Sequence, residues 1–337
     1  MALSQALTTK LLGAIETDAL VLLCGAGLSI PGPSFLKSAM QVAQACYDKR
    51  QPLEVLPQNL RDDIDGLAGL FHGRGEFTSV FIPLVPWNDL AGAPNEGHIA
   101  VADFLICRAA HGALSANFDT MIERWASHYK VAMRGALTGQ EAVNFSSVSN
   151  PLLKFHGCMG RGPEQTLWTQ GQLAEAGIAD RVQSCSDWMN LNLPGKHLLV
   201  IGFWTDWGYL NDVLANAFTI NNASSVTVID PSAPTDLEQK APILWARLNG
   251  LSNSFEHVQA SGADVLQELR TEYSKCWMRK FYALGQPSAQ ATGIAVTPIP
   301  NAYDCDELYD LRRDVEGVPY TRAATLKVPP NSASEAS

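Results

Sequence analysis

The sequence predicts an α/β protein, a doubly wound parallel sheet with a smaller helical lobe formed by insertions. Short apolar runs recur along the chain, and amphipathic segments of helix length lie between several of them. Strands joined by connections of this length pair in parallel. Two stretches, 50–94 and 158–195, interrupt the rhythm, and we expect them to form the smaller lobe.

Each predicted element follows from the apolar pattern. The apolar runs predict strands over 19–24, 112–115, 152–156, 197–202, 225–229 and 254–259. The amphipathic segments predict helices over 3–16, 34–48, 97–110, 118–128, 206–219 and 262–283. Asn95 and Glu96 precede or open one of these helices, where an N-cap and an acid are favoured.

The composition changes near residue 285. Residues 1–284 read as one domain, whereas 285–337 are rich in Pro, Ser, Ala and Thr and predict an extended C-terminal arm. The arm carries a short charged patch, DELYDLRRDVE, over 306–316. We expect this arm to dock on a partner.

Composition and charge exclude several classes of protein. The 337 residues carry a formal charge of −10 and no basic run, which argues against direct nucleic-acid binding. The apolar stretches are well short of the roughly 20 residues of a membrane span, and the N-terminus has no signal-peptide pattern. The seven cysteines form neither a disulfide framework nor a pair at metal-ligand spacing. The sequence therefore predicts a cytoplasmic protein with reduced thiols, no membrane contact and no metal.

A glycine-rich turn, Gly25-Ala26-Gly27-Leu28-Ser29, ends the first predicted strand. Glycines at 25 and 27 let the backbone bring amide groups near a ligand, as in the pyrophosphate-binding turns of Rossmann-like sheets. The third glycine of the dinucleotide fingerprint, and the acid about twenty residues on, are absent. A plain strand-to-helix turn is the alternative.

Polar residues follow three further strands. Asn117 and Asp119 stand at the carboxyl end of one strand, where open parallel sheets bind ligands. His156 ends another and is a candidate general base, although a lone histidine is more often a structural hydrogen-bonder. Gly202 ends a fourth strand. Asp230 closes VTVID, where it could bind ribose hydroxyls or serve as a turn residue before a proline.

Taken in order, these motifs resemble the sirtuin (Sir2-like) family, especially its bacterial antiphage-defence branch. The motifs are GAGLS, PNEGH, SANFD, KFHG, IGFWTDWGYL, VID and SGADVLQEL, and they span roughly residues 15–275. The resemblance implies an NAD-binding domain. It also implies cleavage of NAD, with NAD as substrate.

The resemblance implies a role for each candidate residue. The turn would lie beneath the pyrophosphate and ribose of NAD, through Gly25, Ala26, Gly27 and Ser29. Asn117 and Asp119 would lie near the nicotinamide ribose and carboxamide, with His156 as the catalytic histidine. Gly202 and Asp230 would lie at the adenosine end.

Two departures from the family narrow the expected activity. Protein deacylases of this family carry two CxxC pairs that bind zinc, and this chain has no CxxC. Their segment after the glycine turn ends in Phe-Arg, whereas Ser34-Phe35-Leu36-Lys37 lacks the arginine. The resemblance therefore favours an NAD glycohydrolase without zinc over a protein deacylase.

The defence branch implies that NAD hydrolysis is switched on by a partner. A separate sensor, such as a HerA-type ATPase or a nucleotide-recognising protein, and a homo- or hetero-oligomer are the expected partners. Two alternatives are a protein deacylase or ADP-ribosyltransferase of the same fold, and a non-catalytic subunit that binds NAD or ADP-ribose.

Overall fold

The computed structural model describes residues 3–218, 224–250, 255–293 and 308–316. Within them, one seven-stranded sheet has the order β3-β4-β2-β1-β5-β6-β7, and all its pairs are parallel. The strands are β1 Leu20–Cys24, β2 Gly112–Ser115, β3 Gly135–Ala136, β4 Leu152–Leu153, β5 His197–Ile201, β6 Ser225–Ile229 and β7 Phe255–Val258.

Helices connect and cover these strands. They are α1 Gln5–Glu16, α2 Ala39–Arg50, α3 Ile64–Gly73, α4 Ile82–Leu84, α5 Glu96–Ile106, α6 Met121–His128, α7 Gly139–Phe145, α8 Ala176–Asn192, α9 Gly208–Ala217, α10 Pro234–Lys240, α11 Pro242–Asn249, α12 Gly262–Ala291 and α13 Leu308–Glu316. No helix in the described ranges is long and apolar enough to cross a membrane.

Alternation along the central strand explains why the sheet is covered on both faces. On β1, Leu20, Leu22 and Cys24 join a core with α1, α5 and α12, whereas Val21 and Leu23 join a second core with α8 and α9. A strand that buries both sets of side chains reads as a continuous apolar run. The prediction of a Rossmann-like, doubly wound parallel sheet is confirmed.

The order of the strands reverses beside β1. From β1 the chain proceeds through β2, β3 and β4 on one side, and it then crosses to β5 on the other side. Ligands of open parallel sheets bind outside the carboxyl ends of the strands at such a switch point. The turns that follow β1 and β5 meet at this point.

The predicted strands differ little from those observed. The strand predicted over 152–156 is shorter and ends at Leu153, and the described part of 254–259 forms β7. The two-residue strand β3 was not predicted, because a strand of this length has no apolar period.

The second insertion is divided between two parts of the molecule. A third core, which we call the small lobe, unites α2, α3 and α4 with Trp168. Helix α8, which lies within the predicted insertion 158–195, packs instead on the sheet through Cys185, Trp188 and Met189. The lobe therefore takes only the first part of that insertion, because α8 carries an apolar stripe at helical spacing.

The predicted boundary at residue 284 falls inside a helix, and this prediction needs correction. Helix α12 runs to Ala291, and α13 packs against it within the same chain. Asp103 of α5 accepts hydrogen bonds from Arg270 of α12 at 2.7 Å and from Arg312 of α13, and Arg313 lies 3.7 Å away. This ion cluster holds α13, the described part of the charged patch, against α5 and α12. Residues 294–307 and 317–337 of the predicted arm lie outside the described residues.

Candidate active site at the switch point

The glycines after β1 and β5 fit closely against each other. A Cβ atom on Gly25 would lie 2.5 Å from the carbonyl oxygen of Gly202, and one on Gly27 would lie 2.6 Å from Gly202 Cα. Gly202 also has a φ of +59°, in the left-handed region that favours glycine. Contact between the two turns therefore explains all three glycines before any ligand is considered.

Most amides of the glycine turn are already bonded. Those of Gly25 and Gly27 donate to Ile201 and Gly202 at 2.9 Å, and those of the next two residues donate within the turn. Among the described residues, the amide of Ala26 has no acceptor. The expected cradle of several free amides is thus reduced to this one group.

Ser29 is the centre of a buried hydrogen-bond network. Its hydroxyl donates to Asp119 Oδ2 at 3.2 Å and lies 3.0 Å from His98 Nε2. It also accepts from Asn117 Nδ2 at 3.2 Å, and the same amide group donates to the carbonyl of Gly25 at 3.0 Å. The three hydrogen-bonding capacities of a serine hydroxyl are therefore all used.

His98 is neutral in this network, and its partners define its tautomer. Burial lowers the pKa of His98 to about 4, although the charge of Asp119 acts in the opposite direction. Its Nδ1 accepts from the amide of Asn95 at 3.2 Å, so the ring proton lies on Nε2 and is donated to Ser29. The motif PNEGH begins α5, as predicted, and Asn95 and His98 form a capping box there. Nothing in the sequence indicates the contact of His98 with Ser29.

A buried lysine holds the loop that carries Asp119. Lys154 is 1% exposed, bonds the main-chain oxygen of Asp119 and lies 3.0 Å from Glu123 Oε1. Burial lowers the pKa of Lys154, but the surrounding charges, of which Glu123 contributes most, together outweigh burial and raise this pKa above its ordinary value. The signal in the sequence is a single lysine inside the apolar run LLKFH, which we did not use.

His156 lies in an aromatic environment beside this network. It is 5% exposed, and its ring centroid lies 4.6 Å from those of Phe155 and Trp207. Burial, together with the charge of Arg181, lowers the pKa of His156 to about 3. Its Nε2 has no hydrogen-bond partner in the part of the chain that is described. His156 is therefore neutral at pH 7 with a ring nitrogen free for a ligand.

The predicted residues fall into three groups. Ser29, Asn117 and Asp119 are directly hydrogen-bonded. His156 follows β4, which pairs with the strand before Asn117, but no hydrogen bond joins it to the network among the described residues. Asp230 accepts a hydrogen bond from the amide of Ser232 at 2.8 Å. Its carboxylate therefore stabilises a turn, which was the alternative interpretation of this residue.

Two other polar features have structural roles. Asp206 accepts from the amides of Ile243 and Leu244 at the start of α11, and the indole of Trp204 donates to Leu237 O at 2.6 Å. Within the described ranges, no group of three His, Cys, Asp or Glu side chains could hold a metal ion.

Comparison with solved structures finds Sir2 homologues. A mutant Sir2 homologue in complex with ADP-ribose is 14% identical and covers 81% of this chain and 98% of its own, with a TM-score of 0.45. A Sir2 homologue–NAD complex is 15% identical and covers 80% and 94%, with a TM-score of 0.44. Neither a protein-family model nor a curated protein sequence matches this chain. With identities this low and TM-scores below 0.5, the likeness assigns neither ligand nor activity to this protein.

Proposed function

We propose that this protein is a sirtuin-like NAD glycohydrolase that cleaves NAD to nicotinamide and ADP-ribose. The observation that supports it most is the network of Ser29, Asn117 and Asp119 at the ends of two adjacent strands. Nucleotides bind Rossmann-like sheets at this position. The order of the seven sequence motifs adds independent support.

NAD would lie across the carboxyl ends of the central strands. We assign the pyrophosphate to the glycine turn, where the Ala26 amide is the donor without an acceptor among the described residues. The turns that follow β5 and β6, with Gly202 and Asp230, would face the adenosine end. Asn117 and Asp119 would face the nicotinamide ribose and carboxamide, and Ser29 fixes the orientation of both side chains.

The proposed reaction breaks the bond between the nicotinamide nitrogen and the anomeric carbon of the ribose. The bonding electron pair goes to the cationic nicotinamide ring, which leaves as a neutral molecule, and positive charge develops on the ribose. The oxygen of water bonds to the anomeric carbon. One proton of that water is released, so the products are nicotinamide, ADP-ribose and a proton.

His156 is the residue that we propose accepts a proton. Because it is neutral at pH 7 and its Nε2 is unoccupied, it can accept a hydrogen bond from a ribose hydroxyl or from the attacking water. General-base catalysis contributes about 10²- to 10⁴-fold in rate. Loss of this group should therefore lower kcat without abolishing the binding of NAD.

The test is to incubate the purified protein with NAD and to follow nicotinamide and ADP-ribose by chromatography. Asn117→Ala and His156→Ala should each lower release at least about 100-fold. His111→Ala is the matched control, since His111 pairs with Asp18 at the opposite edge of the sheet. Unchanged release in the Asn117→Ala, His156→Ala double variant would contradict the proposal. ADP-ribose found on protein instead of in solution would favour the transferase.

We further propose that a separate sensor protein activates the enzyme in antiphage defence, because uncontrolled NAD hydrolysis would deplete the producing cell. Residues 317–337 are the proposed docking segment. A truncation after Glu316 removes them and keeps the ion cluster of α13, unlike a cut at residue 284. The truncated chain should lose complex formation with a protein encoded nearby and keep its unfolding midpoint. Retained complex formation would exclude this segment.

A further inference from the structure

Arg181 occupies a position at which the apolar pattern of α8 predicts a hydrophobic side chain. Arg181 is 7% exposed. It lies on the face of α8 that packs against the sheet, among Ile178, Val182, Cys185, Trp188 and Met189. A buried charge in such a row is costly unless an opposite charge or several hydrogen bonds compensate it.

The guanidinium of Arg181 is only partly bonded. Its Nη1 donates to the carbonyl of Gln165 at 2.5 Å, whereas Nε and Nη2 have no partner among the residues that the structure describes. These two nitrogens share one edge of the planar group, so their N–H bonds point in parallel. This edge is the fork that binds two oxygens of a carboxylate or a phosphate.

No acid within the described ranges compensates the charge of Arg181. Burial lowers the pKa of Arg181, whereas Cys185 and Tyr209 act to raise it. Burial raises the pKa of the Cys185 thiol to about 12 and raises that of Tyr209 as well, so neither is an anion at neutral pH. The charge of Glu141 also raises the pKa of Cys185. Both carboxylate oxygens of Glu141 already accept hydrogen bonds from Arg161, at 2.6 and 2.7 Å.

Arg181 belongs to the surroundings of His156, whose pKa its charge helps to lower. Gln165 O, which Arg181 bonds, lies 3.3 Å from the Cβ position of Gly157, the residue after His156. The ring centroids of His156 and Tyr209 are 6.4 Å apart. His156 Nε2 and the Tyr209 hydroxyl are likewise buried and without a partner in the described parts of the chain. Three unsatisfied polar side chains thus lie together.

We propose that Arg181, with the hydroxyl of Tyr209, binds an oxyanion, a carboxylate or phosphate group, beside His156. This proposal rests on the proposed function in one respect: it takes the end of the crevice beside His156 as the end where NAD is cleaved. The oxyanion belongs either to a second ligand that enters next to the reacting ribose or to a phosphate of NAD itself. In both cases the fork supplies two charge-assisted hydrogen bonds.

The experiment measures thermal unfolding of the full chain without NAD, so that NAD turnover does not enter the result. Inorganic phosphate and malonate are the probes, and chloride at equal ionic strength is the reference. At a hundredfold excess over Kd, binding should raise the wild-type Tm by about 5 °C. Arg181→Met should abolish the rise, and Arg181→Lys, which keeps the charge but loses the fork, should weaken it.

Arg247→Met is the matched control, because it removes an equal charge from an exposed pair with Asp212. It should keep the full rise. A rise of equal size in the Arg181 variants, or none in the wild type, would overturn the proposal. If phosphate or malonate raises the Tm further in the presence of ADP-ribose, the oxyanion site belongs to a second ligand. If ADP-ribose abolishes that rise in Tm, the site binds a phosphate of NAD.

Discussion

Two sites in the described part of the molecule hold buried arginines, and their surroundings differ. In the ion cluster, Arg270, Arg312 and Arg313 surround Asp103, which is completely buried. Burial alone would raise the pKa of Asp103, but the three arginines outweigh it and hold that pKa well below its ordinary value. Beside His156, by contrast, Arg181 faces no carboxylate in the described ranges.

The difference separates a site that stabilises the fold from one that is arranged for a ligand. The cluster joins α5, α12 and α13 through opposite charges in direct contact, so it holds three helices together. Arg181, Tyr209 and His156, by contrast, have donors and an acceptor without a partner among the described residues, at the reacting end of the proposed crevice. Unpaired buried groups are costly, and they are retained where a ligand completes them.

The largest expected effect is on the cluster. Asp103→Asn removes the one acid that all three arginines share, so the free energy of unfolding should fall by about 3–5 kcal/mol. Denaturant unfolding measures this loss. Asp310→Asn is the control, because the Asp310 side chain is 60% exposed and its pair with Arg313 should contribute under about 1 kcal/mol. Equal losses in the two variants would contradict the assigned role of the cluster.

Acid should destabilise the protein through buried histidines and not through the cluster. Burial lowers the pKa of His98 and His197 to about 4 and that of His156 to about 3, from 6.5. The unfolded chain therefore binds protons first, and stability present above pH 6.5 is lost as the pH falls towards 4. At pH 5.5 each histidine should contribute a loss of about 1.4 kcal/mol, about 4 kcal/mol together.

The ion cluster should not contribute to this loss of stability in acid. Asp103 keeps its charge over this range, since its pKa lies far below it. His197→Asn should therefore reduce the loss between pH 7.5 and 5.5 by about a third in urea unfolding. A stability that does not change with pH over this range would show that the three histidines are not buried in their neutral form.

A smaller loss is expected for the neutral network of the glycine turn. Ser29→Ala leaves Asp119 Oδ2 and His98 Nε2 without a shared partner, so stability should fall by about 1–3 kcal/mol. NAD cleavage should fall as well, because Asn117 also loses a bond. Ser127→Ala is the control, since the exposed hydroxyl of Ser127 donates to the carbonyl of Glu123 in the same helix. An unchanged midpoint in Ser29→Ala would contradict the network.

The smallest expected effect distinguishes the two arginine sites most clearly. Arg181→Met should leave the unfolding midpoint unchanged or raise it, because an apolar side chain replaces an uncompensated charge. Arg270→Met should lower stability by more than about 1 kcal/mol, because it breaks a buried bond to Asp103. If calorimetry finds similar losses for both, Arg181 has a structural partner and the comparison fails.

The sequence was sufficient for six of the seven strands described and for three residues of the candidate site. Runs over 112–115 and 225–229 match their strands residue for residue, because strands buried on both faces are predominantly apolar. Ser29, Asn117 and Asp119 were found because they follow such strands, and parallel strands end at one edge.

The sequence was not sufficient for contacts between distant elements. Arg181 could not be recognised, because its burial depends on how α8 packs on the sheet. The same holds for Asp103 and Arg312, which are 209 residues apart. The role of His98 could not be predicted either, since only the fold brings Ser29 to its second ring nitrogen.

The proposed function requires that NAD binds at the switch point between the turns after β1 and β5. A crystal structure of the His156→Ala variant with ADP-ribose tests it directly, whether or not the isolated enzyme turns over. We expect the pyrophosphate at the amide of Ala26 and the terminal ribose beside Asn117. ADP-ribose bound at another edge of the sheet, or no binding at all, would contradict it.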